Sequence, residues 1–314
     1  MEYLIILFSL AGIVIGANYL VSGAVSVARR FKVSDFVIGA AIVGVGTSMP
    51  EFVVSFIGAL NGNADVAIGN VVGSNIFNVL GILGITALFF PVAIDRKNMK
   101  FEIPFAIGVS LLLTLLALNF FNGEPASIGR VDGISLLLLF AIYMWYSFVR
   151  DRKENKTTTE TYEGGPLWRG IIEVIGGLAL LVTSCDFFVD NAVCIAKSFG
   201  VSDAFISLTL IACGTSLPEL AASIAAAVKK NTDMALGNII GSNIFNITFI
   251  LGLSSQVMPL TSSDITLVDY CVMIAAAVVP MVLGLRGKIG RLSGVLIIAC
   301  FVFYNWYLVT NQIS

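Results

Sequence analysis

A six-residue motif occurs twice in this chain, as GTSMPE at residues 46 to 51 and as GTSLPE at residues 214 to 219. Each copy places a glutamate, Glu51 or Glu219, inside an apolar stretch long enough to cross a membrane. A carboxylate near the middle of a bilayer costs about 2.5 to 3.5 kcal/mol on insertion scales. Two such carboxylates at matched positions therefore predict a site that binds cations.

The composition indicates that the chain lies in a lipid bilayer. Hydrophobic residues make up 57% of the 314 residues, charged residues make up 12%, and the mean hydropathy is +0.94. Soluble domains carry about 25% charged residues. A helix needs about 20 apolar residues to cross about 30 Å of hydrocarbon, and the sequence has ten such segments. They predict an all-α integral membrane protein with ten transmembrane helices, at residues 3 to 28, 36 to 60, 65 to 90, 101 to 121, 131 to 149, 168 to 196, 204 to 228, 233 to 258, 266 to 285 and 291 to 310.

The basic residues of the loops predict the orientation of the chain. Alternate loops hold 16 of the 18 lysines and arginines, whereas the loops on the other side hold only Arg130 and Lys197. Cytoplasmic loops carry the excess of basic residues, so both termini are predicted to lie outside the cytoplasm. We expect a multi-pass protein of the cell (plasma) membrane, whose main partner is the lipid bilayer. The net charge of −2 gives no reason to expect a nucleic-acid partner, and no obligate protein partner is evident.

The two motif copies belong to a duplication at an offset of 168 residues. When residues 34 to 84 are aligned with residues 202 to 252, 24 of 51 positions are identical. The predicted first repeat, residues 1 to 149, and second repeat, residues 168 to 314, each contain five membrane segments and are joined by a cytoplasmic linker at residues 150 to 167. Because five is odd, the second repeat must be inverted relative to the first. Inverted repeats are typical of secondary transporters.

A proline interrupts each of the two glutamate-bearing segments. Pro50 has no amide hydrogen and clashes with the carbonyl four residues earlier, which frees the oxygen of Gly46 and loosens that of Thr47. Pro218 occupies the equivalent position in the second repeat. A free main-chain oxygen at membrane depth needs a neighbouring helix, a hydroxyl, water or a bound ion. The motif therefore predicts carbonyl oxygens close to each carboxylate.

The next segment of each half carries a second motif, GNVVGSNIFN at residues 69 to 78 and GNIIGSNIFN at residues 237 to 246. A serine and an asparagine four residues apart lie on one face of a helix. Together the motifs offer only oxygen ligands, which suit Ca²⁺, whereas zinc and copper sites usually use histidine or cysteine. The chain has no histidine. Hydrogen bonding between helices remains a second interpretation of the asparagines and of protonated glutamates.

GTSxPE followed by GSNIFN, present twice in a ten-segment chain, resembles the sodium/calcium exchanger family of the cation/calcium antiporter superfamily, in its prokaryotic ten-helix form. The resemblance covers the two alpha-repeats, residues 34 to 84 and 202 to 252. It implies a transporter rather than an enzyme, with Ca²⁺ and Na⁺ as transported ions and no cofactor. It also implies exchange of Na⁺ for Ca²⁺ by alternating access, in which spans 1 and 6 slide past the other eight.

The resemblance further implies which residues bind the ions. They are the carboxylates of Glu51 and Glu219, the main-chain oxygens of Thr47 and Thr215, Ser48, Ser216, Ser74 and Ser242 at the sodium sites, Asn78 and Asn246 at the middle site, and the carbonyls of Gly44 and Ala212. Close archaeal relatives and potassium-dependent members carry an aspartate where this chain has Asn246. Co-transport of K⁺ is therefore not expected.

The charge of the site agrees with competition between the two ions. Two ionised glutamates carry −2, which one Ca²⁺ or two Na⁺ cancels, and a third Na⁺, as the family is thought to bind, would make exchange electrogenic. Closely spaced carboxylates also bind one proton tightly, so we expect protons to compete. The main alternative is an antiporter of Ca²⁺, or another divalent cation, for H⁺ at the same glutamates. A cation channel is a more remote alternative, because channels use rings of carbonyls or charges in oligomers.

Overall fold

The computed structural model of the chain describes residues 2–31, 33–96, 98–118, 127–154, 166–198, 214–261 and 265–313. Within these ranges the fold consists of helices and one pair of very short strands. The helices are α1 (Glu2–Phe31), α2 (Asp35–Thr47), α3 (Met49–Leu60), α4 (Ala64–Phe89), α5 (Asn98–Leu118), α6 (Arg130–Glu154), α7 (Leu167–Ser198), α8 (Leu217–Val228), α9 (Thr232–Val257), α10 (Leu267–Gly284) and α11 (Arg291–Ile313).

The helices agree with the predicted membrane segments. Among the described residues, eight helices are long and apolar enough to cross a membrane, and α2 with α3, bent by 49°, makes a ninth if the pair is one span. This confirms the predicted all-helical class. The helix α8 is the described part of the predicted segment 204 to 228, whose beginning lies outside the described residues. A total of ten spans and the outside location of both termini stay predictions.

Two helices lie in the centre of the molecule. In α4 and α9, 83% and 94% of the most apolar membrane-length window is buried, compared with 17% to 44% in the other long helices. In a bilayer, helices that carry polar side chains are expected to face the protein interior rather than lipid. These two helices carry the two copies of GSNIFN, so that motif lies in the protein interior and not against lipid.

The turns that precede the two central helices have the same local structure. Gly62 and Lys230 both have positive φ, of 77° and 61°. The next residue in each turn, Asn63 or Asn231, caps the following helix by accepting a hydrogen bond from a main-chain N–H at 3.1 Å. Asparagine is among the best residues for this capping role. The two turns are 168 residues apart, so their geometry repeats at the offset of the sequence motifs.

Short main-chain pairings join distant loops. The strand β1 (Val92–Ala93) pairs antiparallel with β2 (Lys288–Ile289), and Ile128 forms an isolated bridge with Leu260. The charge pattern predicts that the loops carrying β1 and β2 are both cytoplasmic. It predicts that the loops carrying Ile128 and Leu260 are both external. Each pairing thus joins loops that were predicted on the same side of the membrane.

The first helices of the two halves, α1 and α7, pack closely against each other. A Cβ atom added at Gly16 would lie 2.6 Å from the main-chain nitrogen of Leu181, and one added at Gly23 would lie 2.7 Å from the main-chain oxygen of Gly170. The order of these contacts shows that the helices run antiparallel. Small residues allow such close approach between membrane helices. Because backbone meets backbone, the pair has little freedom to separate.

Candidate cation-binding site

Each glutamate-bearing segment is broken just before its glutamate. Ser48, with φ −81° and ψ 11°, separates α2 from α3, and Ser216, with φ −93° and ψ 9°, immediately precedes α8. Pro50 and Pro218 lie in the first turns of α3 and α8, where a proline is tolerated. The predicted interruption by proline is therefore present in both halves, with almost the same backbone angles.

The breaks place both glutamates at the start of a helix. Glu51 lies in the first turn of α3, and Glu219 lies in the first turn of α8. The amino end of a helix carries a partial positive charge and stabilises a nearby anion. A second effect comes from the uncapped main-chain N–H groups of that first turn, which can donate hydrogen bonds. The local structure thus supports two carboxylates within an apolar bundle.

Each carboxylate is held by the other half of the chain. The hydroxyl of Ser216 donates a hydrogen bond of 2.7 Å to Oε1 of Glu51. The hydroxyl of Ser48 donates one of 2.8 Å to Oε1 of Glu219. All four residues have 0% exposure. The structure therefore brings both predicted glutamates and two of the predicted serines into one buried cluster, where the breaks of the two halves meet.

Four buried carboxylate and amide oxygen atoms in this region have no hydrogen-bond partner among the described residues. They are Oε2 of Glu51, Oε2 of Glu219, Oδ1 of Asn78 and Oδ1 of Asn246. A buried polar group without a partner costs free energy, and a buried unpaired charge costs much more. Bound cations with a preference for oxygen ligands would remove this cost. The set fits Ca²⁺ or Na⁺ and does not fit a metal that prefers nitrogen or sulfur.

Two further predicted residues contact each other. The hydroxyl of Ser242 donates a hydrogen bond of 3.2 Å to the carbonyl oxygen of Gly44. A Cβ atom added at Gly44 would lie 3.1 Å from the main-chain nitrogen of Ser242, so only a small residue fits here. The contact joins α2 to the central helix α9. Ser74, the counterpart of Ser242, is also buried, whereas Ala212, the counterpart of Gly44, lies outside the described residues.

The two predicted threonines differ in their contacts. Thr47 is fully buried, and its hydroxyl donates to the carbonyl of Val43 at 2.9 Å and lies 3.3 Å from Oδ1 of Asn238. Thr215 is half-buried, and its hydroxyl has no hydrogen-bond partner among the described residues. The second half of the site is thus more open than the first at this position.

Two asparagines that sequence reasoning did not single out support the glutamates. The side-chain nitrogen of Asn70 donates to the main-chain oxygen of Glu51 at 3.0 Å and to Oγ of Ser55 at 2.8 Å. Asn238 donates in the same way to its own glutamate at 3.1 Å and to a serine at 2.8 Å. The signal was present, because each asparagine follows the first glycine of its GSNIFN-containing motif and the two are 168 residues apart.

A cavity of about 330 Å³ reaches both helix breaks. Its lining includes Pro50 from the first half and Gly214 and Thr215 from the second half. Two carboxylates of α7, those of Asp186 and Asp190, also line it. The cavity therefore places two acidic residues of α7 beside the broken segments.

A comparison with known families agrees with this geometry. The model of the family described as sodium/calcium exchanger protein matches residues 1–149 and 170–310. The chain belongs to the sodium/calcium exchanger family. It is therefore a multi-pass integral membrane protein of a family of cation/Ca²⁺ antiporters, which are transporters and not enzymes. The resemblance inferred from GTSxPE and GSNIFN is confirmed.

Individual relatives cover nearly the whole of this exchanger-family chain. A protein of Alkalimonas amylolytica named "Putative antiporter CaxA" is 39% identical over an alignment of 321 positions that covers 97% of this chain and 98% of the relative. The sodium/calcium exchanger MaX1 of Methanosarcina acetivorans is 29% identical, over 96% and 97% of the two chains. The solved structure of the sodium-calcium exchanger NCX_Mj soaked with zero Na⁺ and Ca²⁺ has a TM-score of 0.85 at 30% identity and covers 98% of both chains.

Proposed function

We propose that the protein is a secondary active antiporter that exchanges Na⁺ for Ca²⁺ across the cell membrane by alternating access. The observation that carries this proposal is the group of four buried, unpaired oxygens on Glu51, Glu219, Asn78 and Asn246. Each half of the chain contributes two of these oxygens, and the group includes no nitrogen or sulfur atom. Such a set suits hard cations that share one site in turn.

The proposed ligands extend beyond these four side chains. The main-chain oxygens of the two threonines and the carbonyl of Gly44 complete the calcium and sodium sites, together with the four serines and Ala212 of the sequence prediction. Two glutamates carry −2, which one Ca²⁺ balances. Three Na⁺ would leave one positive charge, so exchange is proposed to be electrogenic. Asn246 adds no charge, which supports transport without K⁺.

The proposed transport cycle depends on two inverted five-helix repeats, with ten spans and both termini outside. The close packing between α1 and α7 at Gly16 and Gly23 supports movement of these two helices as one pair. The cavity beside the broken segments is lined by α7, so sliding of the pair changes access to the site. Alternating access at a fixed midplane site is the general mode of inverted-repeat transporters.

The decisive experiment uses purified protein in sodium-loaded liposomes. We expect radioactive calcium to enter when the external medium lacks sodium, and we expect much less entry when sodium is equal on both sides. Removal of K⁺ should leave uptake unchanged. A positive-inside potential that slows the uptake of calcium would contradict the proposed stoichiometry, because one Ca²⁺ that enters moves less charge than the three Na⁺ that leave.

Calcium/proton antiport is the second candidate, because the same buried carboxylates can carry protons. The two functions differ in the gradient that drives uptake. If an imposed pH gradient drives calcium entry and a sodium gradient does not, the coupling ion is H⁺. Calcium flux that needs no counter-ion at all would instead indicate a channel.

A further inference from the structure

Four buried asparagines form a closed hydrogen-bonded group between the central helices α4 and α9. Two of them, Asn78 and Asn246, carry unpaired oxygens of the proposed site, and the other two, Asn75 and Asn243, each lie three residues earlier in the motif. All four are at most 6% exposed. The group spans both halves of the chain, since each of its bonds joins residues that are 165 to 171 positions apart.

Asn75 and Asn243, the inner pair, donate hydrogen bonds to main-chain oxygens. The side-chain nitrogen of Asn75 donates to the main-chain oxygen of Asn243 at 3.2 Å, and that of Asn243 donates to the main-chain oxygen of Asn75 at 3.3 Å. A main-chain oxygen can only accept hydrogen bonds. These two bonds therefore fix which end of each amide is nitrogen, and they leave the side-chain oxygens of both residues turned elsewhere.

Asn78 and Asn246, the outer pair, are oriented by their hydrogen bonds to the inner pair. Asn78 donates its side-chain nitrogen to Oδ1 of Asn243 at 2.9 Å, and Asn246 donates its nitrogen to Oδ1 of Asn75 at 3.2 Å. If either outer amide rotated by half a turn, its oxygen would face another oxygen and one hydrogen bond would be lost. The main-chain oxygens thus fix the orientation of the inner amides, and the inner amides fix the orientation of the outer amides.

From this geometry we infer that Asn75 and Asn243 are positioning residues that hold Asn78 and Asn246 with their oxygens, and not their NH₂ groups, available to the cation. The inference rests on the proposed function, because it assumes that the cation binds these oxygens. An asparagine can offer a cation either an oxygen or a repelling NH₂ group, so its orientation decides whether it attracts or excludes the ion. An aspartate has two oxygens and needs no such control.

The difference between asparagine and aspartate separates control of orientation from packing. A loss of packing alone would have the same effect beside either residue. Leucine has nearly the same size as asparagine. The substitution Asn243→Leu removes the oxygen that accepts a hydrogen bond from Asn78, so the side-chain amide of Asn78 is free to rotate. We expect Asn243→Leu to raise the calcium concentration for half-maximal sodium-driven uptake about tenfold, the effect of one charge-assisted contact. In an Asn78→Asp background the same substitution should raise that concentration less than about twofold, because a carboxylate presents oxygen in either orientation and has no hydrogen bond to Asn243 to lose.

The symmetry-related pair provides an independent repeat of the experiment. Asn75→Leu should weaken calcium uptake in the natural background and have little effect together with Asn246→Asp. This second pair also serves if Asn243→Leu does not fold, which thermal unfolding of the purified protein would reveal. Equal losses in the asparagine and aspartate backgrounds would overturn the inference and assign the inner pair to packing. If the unaltered protein shows no sodium-driven uptake, the proposed function fails instead.

Discussion

Buried polar atoms at this site differ in whether the protein already satisfies them. Oε1 of each glutamate accepts a serine hydroxyl at 2.7 or 2.8 Å, whereas Oε2 of each has no partner among the described residues. The serines therefore fix the rotation of each carboxylate and leave its second oxygen available. A carboxylate that is oriented before the ion arrives loses less entropy on binding. The serines are thus expected to increase affinity even where they do not touch the ion.

Removal of one serine hydroxyl tests this role. We expect Ser216→Ala to raise the calcium concentration for half-maximal uptake about tenfold, because the Glu51 carboxylate loses a charge-assisted hydrogen bond. Ser254→Ala is a matched control, since the hydroxyl of Ser254 is equally buried and has no hydrogen-bond partner among the described residues. Equal affinity in Ser216→Ala and the unaltered protein would contradict the orienting role.

Protons and metal cations are expected to compete for the same carboxylate oxygens. We expect sodium-driven calcium uptake to fall as the pH decreases from alkaline to mildly acidic, with the pH kept equal on both sides of the liposome membrane. Protonation removes the negative charge that binds calcium, so the loss should be overcome by a higher calcium concentration. Uptake that does not change over this pH range would show that protons do not enter the site.

At the scale of helices and turns, the two halves repeat small backbone features as well as motifs. The positive φ of Gly62 and Lys230 is one such feature, and it is unfavourable for lysine because its Cβ atom crowds the backbone. Glycine adopts this conformation without strain. The turn before α9 therefore retains the geometry of the turn before α4 although its residue is less suitable.

Exchange of these two residue types gives opposite effects in the two turns. Lys230→Gly should stabilise the protein by about 0.5 to 1 kcal/mol, because relief of the strained backbone exceeds the added entropy of the unfolded chain. Gly62→Lys should destabilise it by a similar amount. Thermal unfolding in detergent, followed by intrinsic fluorescence, checks both variants. A lower unfolding temperature for Lys230→Gly would show that the lysine side chain has a stabilising role.

Two neighbouring glycines of α7 make a second matched pair. A Cβ atom added at Gly177 would lie 2.9 Å from the main-chain oxygen of Gly16, whereas no described atom lies within 4 Å of one added at Gly176. We expect Gly177→Ala to destabilise the protein by about 1 to 3 kcal/mol through overpacking against α1. Gly176→Ala should be neutral or stabilise by up to about 1 kcal/mol, since alanine favours helices. The same loss for both would mean that α1 and α7 are not in close contact.

Sequence alone predicted the elements well, because hydropathy and length determine which segments can cross a membrane. It also predicted the proline breaks, since the missing N–H of Pro50 acts on its own helix. It did not predict that Ser216 contacts Glu51, because the two are 165 residues apart and their contact depends on how the halves pack. The support from Asn70 was missed for a related reason, since an asparagine within a repeated motif does not reveal which carbonyl it binds.

At the scale of the whole molecule, the site exists only because the two halves meet. Each half supplies one glutamate, one orienting serine and one outer asparagine, and each carboxylate is held by the opposite half. Neither half alone can present two carboxylates to one ion. The duplication therefore explains why matched polar groups from two related halves meet in the centre of the bundle.

The most direct test of this account is sodium-driven calcium uptake by liposomes that contain Glu51→Gln, Glu219→Gln or Glu102→Gln protein. Glu102 is a suitable control because it is a buried glutamate of α5 that hydrogen-bonds with Ser147 outside the proposed site. We predict that uptake is lost in both site variants and retained in Glu102→Gln. Substantial uptake in either Glu51→Gln or Glu219→Gln, with both proteins folded, would contradict the claim that the paired glutamates bind the transported cation.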